Sequence, residues 1–479
     1  MKRLLGSLLS AFFMLFSMVS CSGGGGGDQP DPVVNTNVTI VVKNAEGNVE
    51  ANTKVYLFLS SSATMPDDAE KIVTTDSSGK AVFKLSDVAG VETGKTIYFK
   101  VFEERKLNEF YALGSVNIVV TEGQTIEKIL TITERTQYGF LPSSITSSLA
   151  MSEYNRWKTT QVVACNDGLR VIASPSTNTL VEAVGFGMLL SAYAKDKTTF
   201  DGIFNFYKSK RTTQANNMMA WSVTCDGIND PGSATDGDID VAFALIVASK
   251  HWGNSYLEEA KQIINIVQTS LIVSCSVNGE SIYILAPGYS GSAWGGCEMT
   301  DLMYHTPAFF RIFATVSGNT IWNELADDTY TLLNASANEN TGLVPDWQTA
   351  DGDPGPGGRN GHFGYDACRA PWRITLDYLW NGNEKAKSWA TKITNWVESV
   401  GPSNLVDGYE LDGTPIGENG LNSAFLGGFT VAAMAHSEAR VNSFGTVLSS
   451  LNDTYWFNLN TRCLYLFTLS GDFYHPLKR

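Results

Sequence analysis

Acidic residues recur at three places where helical sequence begins. Glu182 stands in Leu180-Val181-Glu182-Ala183-Val184-Gly185-Phe186-Gly187-Met188. Asp236 and Asp238 stand in Ala234-Thr235-Asp236-Gly237-Asp238-Ile239-Asp240, and Asp366 stands in Gly364-Tyr365-Asp366-Ala367-Cys368-Arg369. Carboxyl groups on separate segments can divide a task. One donates a proton to a leaving oxygen while another, ionised, draws a proton from water. That division is what hydrolysis of a glycosidic bond needs. Taken singly, each acid has a plainer use, because Asp before a helix caps it and Glu in a first turn favours the helix dipole. Taken together, with Tyr and Trp residues nearby, they make a better catalytic cleft than a set of caps.

Other chemistries find little support. The five histidines show no ligand spacing and no Cys/His cluster is present, so no metal and no cofactor is expected. There is no G-x-S-x-G elbow and no P-loop. The glycine-rich stretch 352–364 (GDPGPGGRNGHFG) lacks the strand context of a phosphate loop and reads as a loop over the cleft, just ahead of Asp366. A formal charge of −15 argues against a nucleic-acid partner. It is ordinary for an exported enzyme and gives only a slight lean toward a cationic polymer such as chitosan.

The elements that must position these acids are helices of two kinds. Segments 182–194, 237–250 and 422–436 are apolar nearly all round and must be buried on every side. Segments 255–270, 319–334 and 383–400 are amphipathic, with a charged face. The two kinds alternate in pairs: 182–194 with 197–210, 237–250 with 255–270, 304–316 with 319–334, 367–380 with 383–400, and 422–436 with 439–451. Further helical stretches precede 165 and follow 456. Buried helices alternating with half-exposed ones predict two concentric rings, an (α/α)6 barrel, over 138–479. There is no βαβ alternation. In such a barrel the inner helices run parallel, so the three acidic sites are predicted to gather at one mouth. All eleven tryptophans lie in this part of the chain.

The preceding part differs. Lys2 and Arg3, then an apolar run from Leu4 to Val19, then Ser20-Cys21 and a run of glycines resemble a bacterial lipoprotein signal over 1–21, with Cys21 lipidated. An ordinary cleaved signal with an incidental Cys is the plainer alternative. A lipid there would make the protein peripheral, with no spanning helix, at the outer membrane or cell surface of a Gram-negative bacterium. Residues 22–36 read as a Gly/Pro-rich linker. Short β-branched runs at 38–42, 54–59, 81–85, 97–101 and 125–132, separated by turn signals, predict a small all-β sandwich over 37–135. It resembles immunoglobulin-like or transthyretin-like modules and lacks Trp, so a spacer role outweighs carbohydrate binding. The remaining cysteines (165, 225, 275, 297, 368, 463) could pair in an exported protein or stay as buried thiols. A monomer is expected.

The barrel segments resemble glycoside hydrolase family 8. Val181-Glu182-Ala183-Val184-Gly185-Phe186-Gly187-Met188 is similar to that family's S-E-G-x-G-Y-G-M motif, and Ala234-Thr235-Asp236-Gly237-Asp238 to its A-T-D-G-D signature. Tyr365-Asp366-Ala367-Cys368-Arg369 is similar to its Y-D-A-x-R segment. Asn217-Met218-Met219-Ala220-Trp221 and Tyr304-His305-Thr306-Pro307-Ala308 are looser matches. The resemblance implies an (α/α)6 barrel and an inverting endo-acting hydrolase of a β-1,4-linked polysaccharide: β-glucan or cellulose, xylan, or chitosan. Action at the reducing end of xylo-oligosaccharides and non-catalytic glycan binding are the alternatives. It implies Glu182 as the general acid, its pKa raised by burial or a neighbouring carboxylate, and Asp366 as the general base, roughly 6.5–9.5 Å away. Asp236 would hold the central sugar. Arg369, Tyr304, Tyr365, Trp221 and Asp238 complete the expected substrate-binding set, although Asp238 could be an orienting or capping residue and Trp221 a core residue. Arg369, one helical turn after Asp366, is expected to lower the pKa of that base.

Overall fold

The computed structural model describes residues 34–166, 168–277 and 279–479. The signal, Cys21 and most of the linker lie outside the described residues.

The β-rich part has seven strands: β1 (Asn37–Lys43), β2 (Lys54–Phe58), β3 (Lys71–Thr74), β4 (Lys80–Lys84), β5 (Thr96–Lys106), β6 (Glu109–Val119) and β7 (Thr125–Thr131). They form two sheets, ordered β4-β1-β7 and β3-β2-β5-β6. Strand alternation does the sorting. Val38, Ile40 and Val42 of β1 and Ile97, Phe99 and Val101 of β5 are fully buried, and they meet in one core with Leu57, Phe83 and Leu130. β1 is antiparallel to β4 and parallel to β7.

Among the described residues there are twelve α-helices: α1 (Ser147–Gln161), α2 (Val181–Tyr193), α3 (Lys197–Ser209), α4 (Thr235–Trp252), α5 (Ser255–Ser270), α6 (Pro307–Ser317), α7 (Ile321–Ser336), α8 (Ala370–Asn381), α9 (Glu384–Val400), α10 (Ser423–Ala433), α11 (Glu438–Ser450) and α12 (Trp456–Leu469). The even-numbered helices pack on one another in sequence. α2 lies on α4, α6 on α8, α8 on α10, α10 on α12, and α12 on α2. α4 and α6 meet where Phe243 and Phe309 stack at 3.7 Å. Each odd-numbered helix backs one of these: α3 on α2, α5 on α4, α7 on α6, α9 on α8, α11 on α10 and α1 on α12.

Burial follows composition. In α2 every residue but Glu182 is buried. In α5 only Ala260, Ile263, Ile264 and Val267 are, the one-face spacing of an amphipathic helix. Gly237 allows a close approach within the ring. A Cβ there would stand 2.5 Å from the Val181 carbonyl carbon, so glycine lets the first turns of α2 and α4 touch beside Glu182 and Asp236.

Disulfides join Cys165 to Cys225 and Cys275 to Cys297, while Cys368 and Cys463 are buried thiols. No described helix is long and apolar enough to cross a membrane.

Candidate active site

The first turns of α2 and α4 and the turn before α8 meet around Arg369. Its guanidinium is 2% exposed. Nη1 pairs with Glu182 Oε1 and lies 3.3 Å from Asp236 Oδ2, while Nη2 donates to Asp366 Oδ1 at 2.7 Å. The chain reaches this geometry locally. Asp366 precedes a short 3-10 turn, Ala367–Arg369, and Arg369 N–H donates to the Asp366 carbonyl. A repeat of three residues per turn puts Arg369 on the same side as Asp366. Thus Glu182, Asp236, Asp366 and Arg369 come together as a unit.

The unit lies in a cleft of about 640 Å³ lined by Glu182, Tyr365, Asp366, Tyr455, Trp456 and Asn458, among others. The Asp366 side chain stays 37% exposed toward that cleft, so water reaches it. Three carboxyls share one guanidinium in a largely buried setting, which favours a proton on one of them. Burial raises the pKa of Asp236 from its usual 3.8; Arg373 opposes this, and Asp240 adds to it. Burial is also the main cause for Asp366, whose pKa is raised, and the neighbouring Asp346 pushes it further the same way. The Trp347 hydrogen bond and Arg359 pull it back. The net direction for Asp366 is therefore upward, opposite to the expectation that Arg369 would set it low: burial and the like charge of Asp346 are the main causes.

The other predicted residues divide. Tyr365 lines the cleft and donates its hydroxyl to Asp407 Oδ2 at 2.9 Å. Tyr304 packs edge-on against Trp347, and burial, followed by the charges of Asp236, Asp301 and Asp366, raises its pKa. Trp221 is 38% exposed, so it is not a core residue. Its carbonyl accepts from Val181 N–H at 2.9 Å, which places it one residue from the base of the Glu182 turn. Asp238 does not belong with the sugar-binding set. It is fully buried and accepts the Tyr207 hydroxyl at 2.6 Å, because the helix turns it away from the cleft toward α3. Burial pushes its pKa up to about 8.

The sequence model described as glycosyl hydrolases family 8 matches residues 132–467. The chain belongs to glycosyl hydrolases family 8. It is a glycoside hydrolase. It is 35% identical over 347 residues to Endoglucanase 2 of Ruminiclostridium josui, covering 69% of this chain and 72% of that protein. It is 28% identical over 328 residues to the reducing end xylose-releasing exo-oligoxylanase of Halalkalibacterium halodurans, covering 61% and 79%. Among solved structures, the apo β-1,3-1,4-glucanase of Paenibacillus sp. X4 superposes with a TM-score of 0.62 at 28% identity, covering 70% of this chain and 97% of that one.

The family motifs do not point to several residues that the structure brings to the site. Trp347 donates Nε1–H to Asp366 Oδ2 at 3.0 Å. Arg359, from the glycine-rich stretch, lies over the rings of Trp294 and Trp347 at 5.0 and 4.7 Å. That stretch is thus pinned beside Asp366, where a loop over the cleft was expected. Trp456 Nε1 and Asn458 Oδ1, at the start of α12, are buried without a partner and line the cleft. Trp456 and Asn458 open a helix without any acid to mark it, so only the position of α12 in the ring could have signalled them. Among the described residues no group of three His, Cys, Asp or Glu side chains is arranged to hold a metal ion.

Proposed function

We propose that this family 8 enzyme hydrolyses a β-1,4-linked polysaccharide by inversion and attacks within the polymer. The observation that carries the reading is the single guanidinium of Arg369 gathering Glu182, Asp236 and Asp366 at the floor of an open cleft. Glu182 donates its proton to the leaving glycosidic oxygen as the C1–O bond breaks. Asp366 takes a proton from a water whose oxygen bonds to C1 from the opposite face. The cycle leaves Glu182 ionised and Asp366 protonated, and solvent exchange restores both. Asp236 Oδ1 has no partner, which leaves it free to accept a sugar hydroxyl. Tyr304 and Tyr365 position the water or the sugar. The helices are read as an (α/α)6 barrel, the architecture that their alternating contacts support.

Exposed aromatic side chains favour a polymer. Trp221, Trp294 and Tyr455 are 38%, 38% and 50% exposed, and apolar sugar faces stack on such rings. The likeness to a reducing-end exo-oligoxylanase keeps short xylo-oligosaccharides as the second reading. A panel of β-glucan, cellulose, xylan and chitosan with product sizing tests both. A spread of oligomer sizes from polymer supports endo action, and release of single xyloses from oligomers alone overturns it. Proton NMR of the first product anomer tests inversion. Glu182→Gln and Asp366→Asn should each nearly abolish turnover, and normal activity in either removes that role.

The same reading takes the protein as exported, monomeric and held to the membrane by lipid on Cys21. Cys21→Ser should move it from the membrane pellet to the soluble fraction.

A further inference from the structure

Two consecutive residues outside the family motifs hold Asp366. Asp346 Oδ1 accepts the N–H of Gly364 at 2.9 Å and of Ala367 at 2.8 Å. One carboxyl oxygen thus ties both ends of the four-residue turn that carries Asp366. The next residue, Trp347, donates to Asp366 Oδ2. Gly364 has no room for a Cβ, which would fall on the Asp346 carboxyl. The dipeptide is itself anchored. Asp346 N–H donates to the His362 carbonyl at 2.8 Å, Trp347 N–H to the Asn360 carbonyl at 3.0 Å, and both side chains are buried, 2% and 7% exposed.

We propose that Asp346 and Trp347 are positioning residues that form a two-point jig for the base. Asp346 sets where the turn sits, Trp347 sets how the Asp366 carboxyl is rotated, and neither touches substrate. The inference rests on Asp366 being the base. Arg369 occupies Oδ1 and Trp347 occupies Oδ2, so donors on both sides fix the plane of the carboxyl before water approaches. A displacement of about 1 Å at such a group costs roughly 10²-fold in rate. The jig also sets charge. Asp366 is faced by Asp346, Asp236, Asp301, Tyr304 and Cys368 on the acidic side and by Arg369 and Arg359 on the basic side. Among the like charges Asp346 acts on it most, and the indole hydrogen bond acts in the opposite direction.

The two halves of the jig therefore leave opposite signatures. Asp346→Asn keeps the shape and removes a like charge, so the acidic limb of kcat/KM should move to lower pH. Trp347→Phe keeps the ring and removes a donor to the carboxylate, so the limb should move to higher pH. Both should lose about tenfold to hundredfold in kcat, with KM changed by less than about twofold. Pure loss of folded protein would lower kcat without moving the limb. The measurement is a pH series of kcat and KM on a soluble polymer, run for both variants and for Asp366→Asn. An inactive Asp366→Asn beside variants with unmoved limbs or near-normal kcat overturns the jig alone. Turnover surviving in Asp366→Asn removes the base assignment and the jig with it.

Discussion

Arg369 serves three carboxylates with one positive charge, and its planar fork is what makes that possible. Nη1 and Nη2 face different acids. Lysine would carry the charge as a single point and could not span them. Arg369→Lys should therefore lose roughly 10²-fold in kcat while the far-UV spectrum stays native, and near-normal turnover would mean that charge alone suffices. Asp238, two residues before Asp240 and on a different face of α4, makes a contrasting case. Its carboxyl has one oxygen without a partner, and its folded pKa of about 8 lies far above the usual 3.8. A raised acid binds its proton more tightly in the folded state, so its contribution to stability is complete below about 4 and is lost as pH rises toward 8. Asp238→Asn removes that loss. The variant should gain melting temperature over wild type progressively from pH 5 to pH 8, about the neutral range, with KM unchanged. A raised KM would return Asp238 to the sugar.

At the scale of elements, what holds the ring is partly ionic. Asp240 of α4 and Arg373 of α8 form a two-bonded pair at 2.8 Å that is wholly buried, and Arg373 also donates to Thr306 at 3.0 Å, just before α6. This ties three helices of the ring beneath Glu182, Asp236 and Asp366. Removing one partner leaves the other charge buried and unpaired, so Asp240→Ala should cost about 3–5 kcal/mol, read as a shift in the urea midpoint. An Asp240→Leu/Arg373→Met pair should recover much of it, and no recovery would mean that the pair is needed for packing geometry. Helix spacing made α2 to α11 readable to within a few residues, because burial on all sides and burial on one side leave different apolar patterns. The contributions of Asp346, Trp347 and Arg359 were not readable. Their partners lie across loops, and no local periodicity records a loop-to-loop hydrogen bond. β6 escaped for a related reason. Its Gly114 and Ser115 break the apolar alternation, and its pairing with β5 supplies the order that its own sequence lacks.

The whole molecule has a direction. β1 and β7 run parallel, with Asn37 beside Thr125, so the chain enters the sandwich at the end away from Thr131, through which it passes to the helices. The helices receive it at the C-terminal ends of α8 and α10. Tyr138 N–H donates to the Leu379 carbonyl and Phe140 N–H to the Met434 carbonyl, both at the C-terminal ends of inner helices. The cleft is at the opposite end, among the helix N-termini. The junction is keyed by Glu103 of β5. Its fully buried carboxylate pairs with Arg105 and accepts Thr136 N–H at 2.8 Å and Thr136 Oγ1–H at 2.9 Å. Around it the β5–β6 turn meets the C-terminal tail, with Lys106 on Asp472 and Arg479 donating to Thr136 and the Gly471 carbonyl. Buried polar contacts of this kind make two bodies unfold as one. Calorimetry should show a single transition for the wild type. Glu103→Ala strands the Thr136 groups and Arg105, a loss of about 1–3 kcal/mol, and it should split that transition into two while hydrolysis at moderate temperature continues. Two separate transitions already in the wild type would mean that the sandwich is only tethered, and that the cleft has no fixed bearing relative to the point where the chain enters.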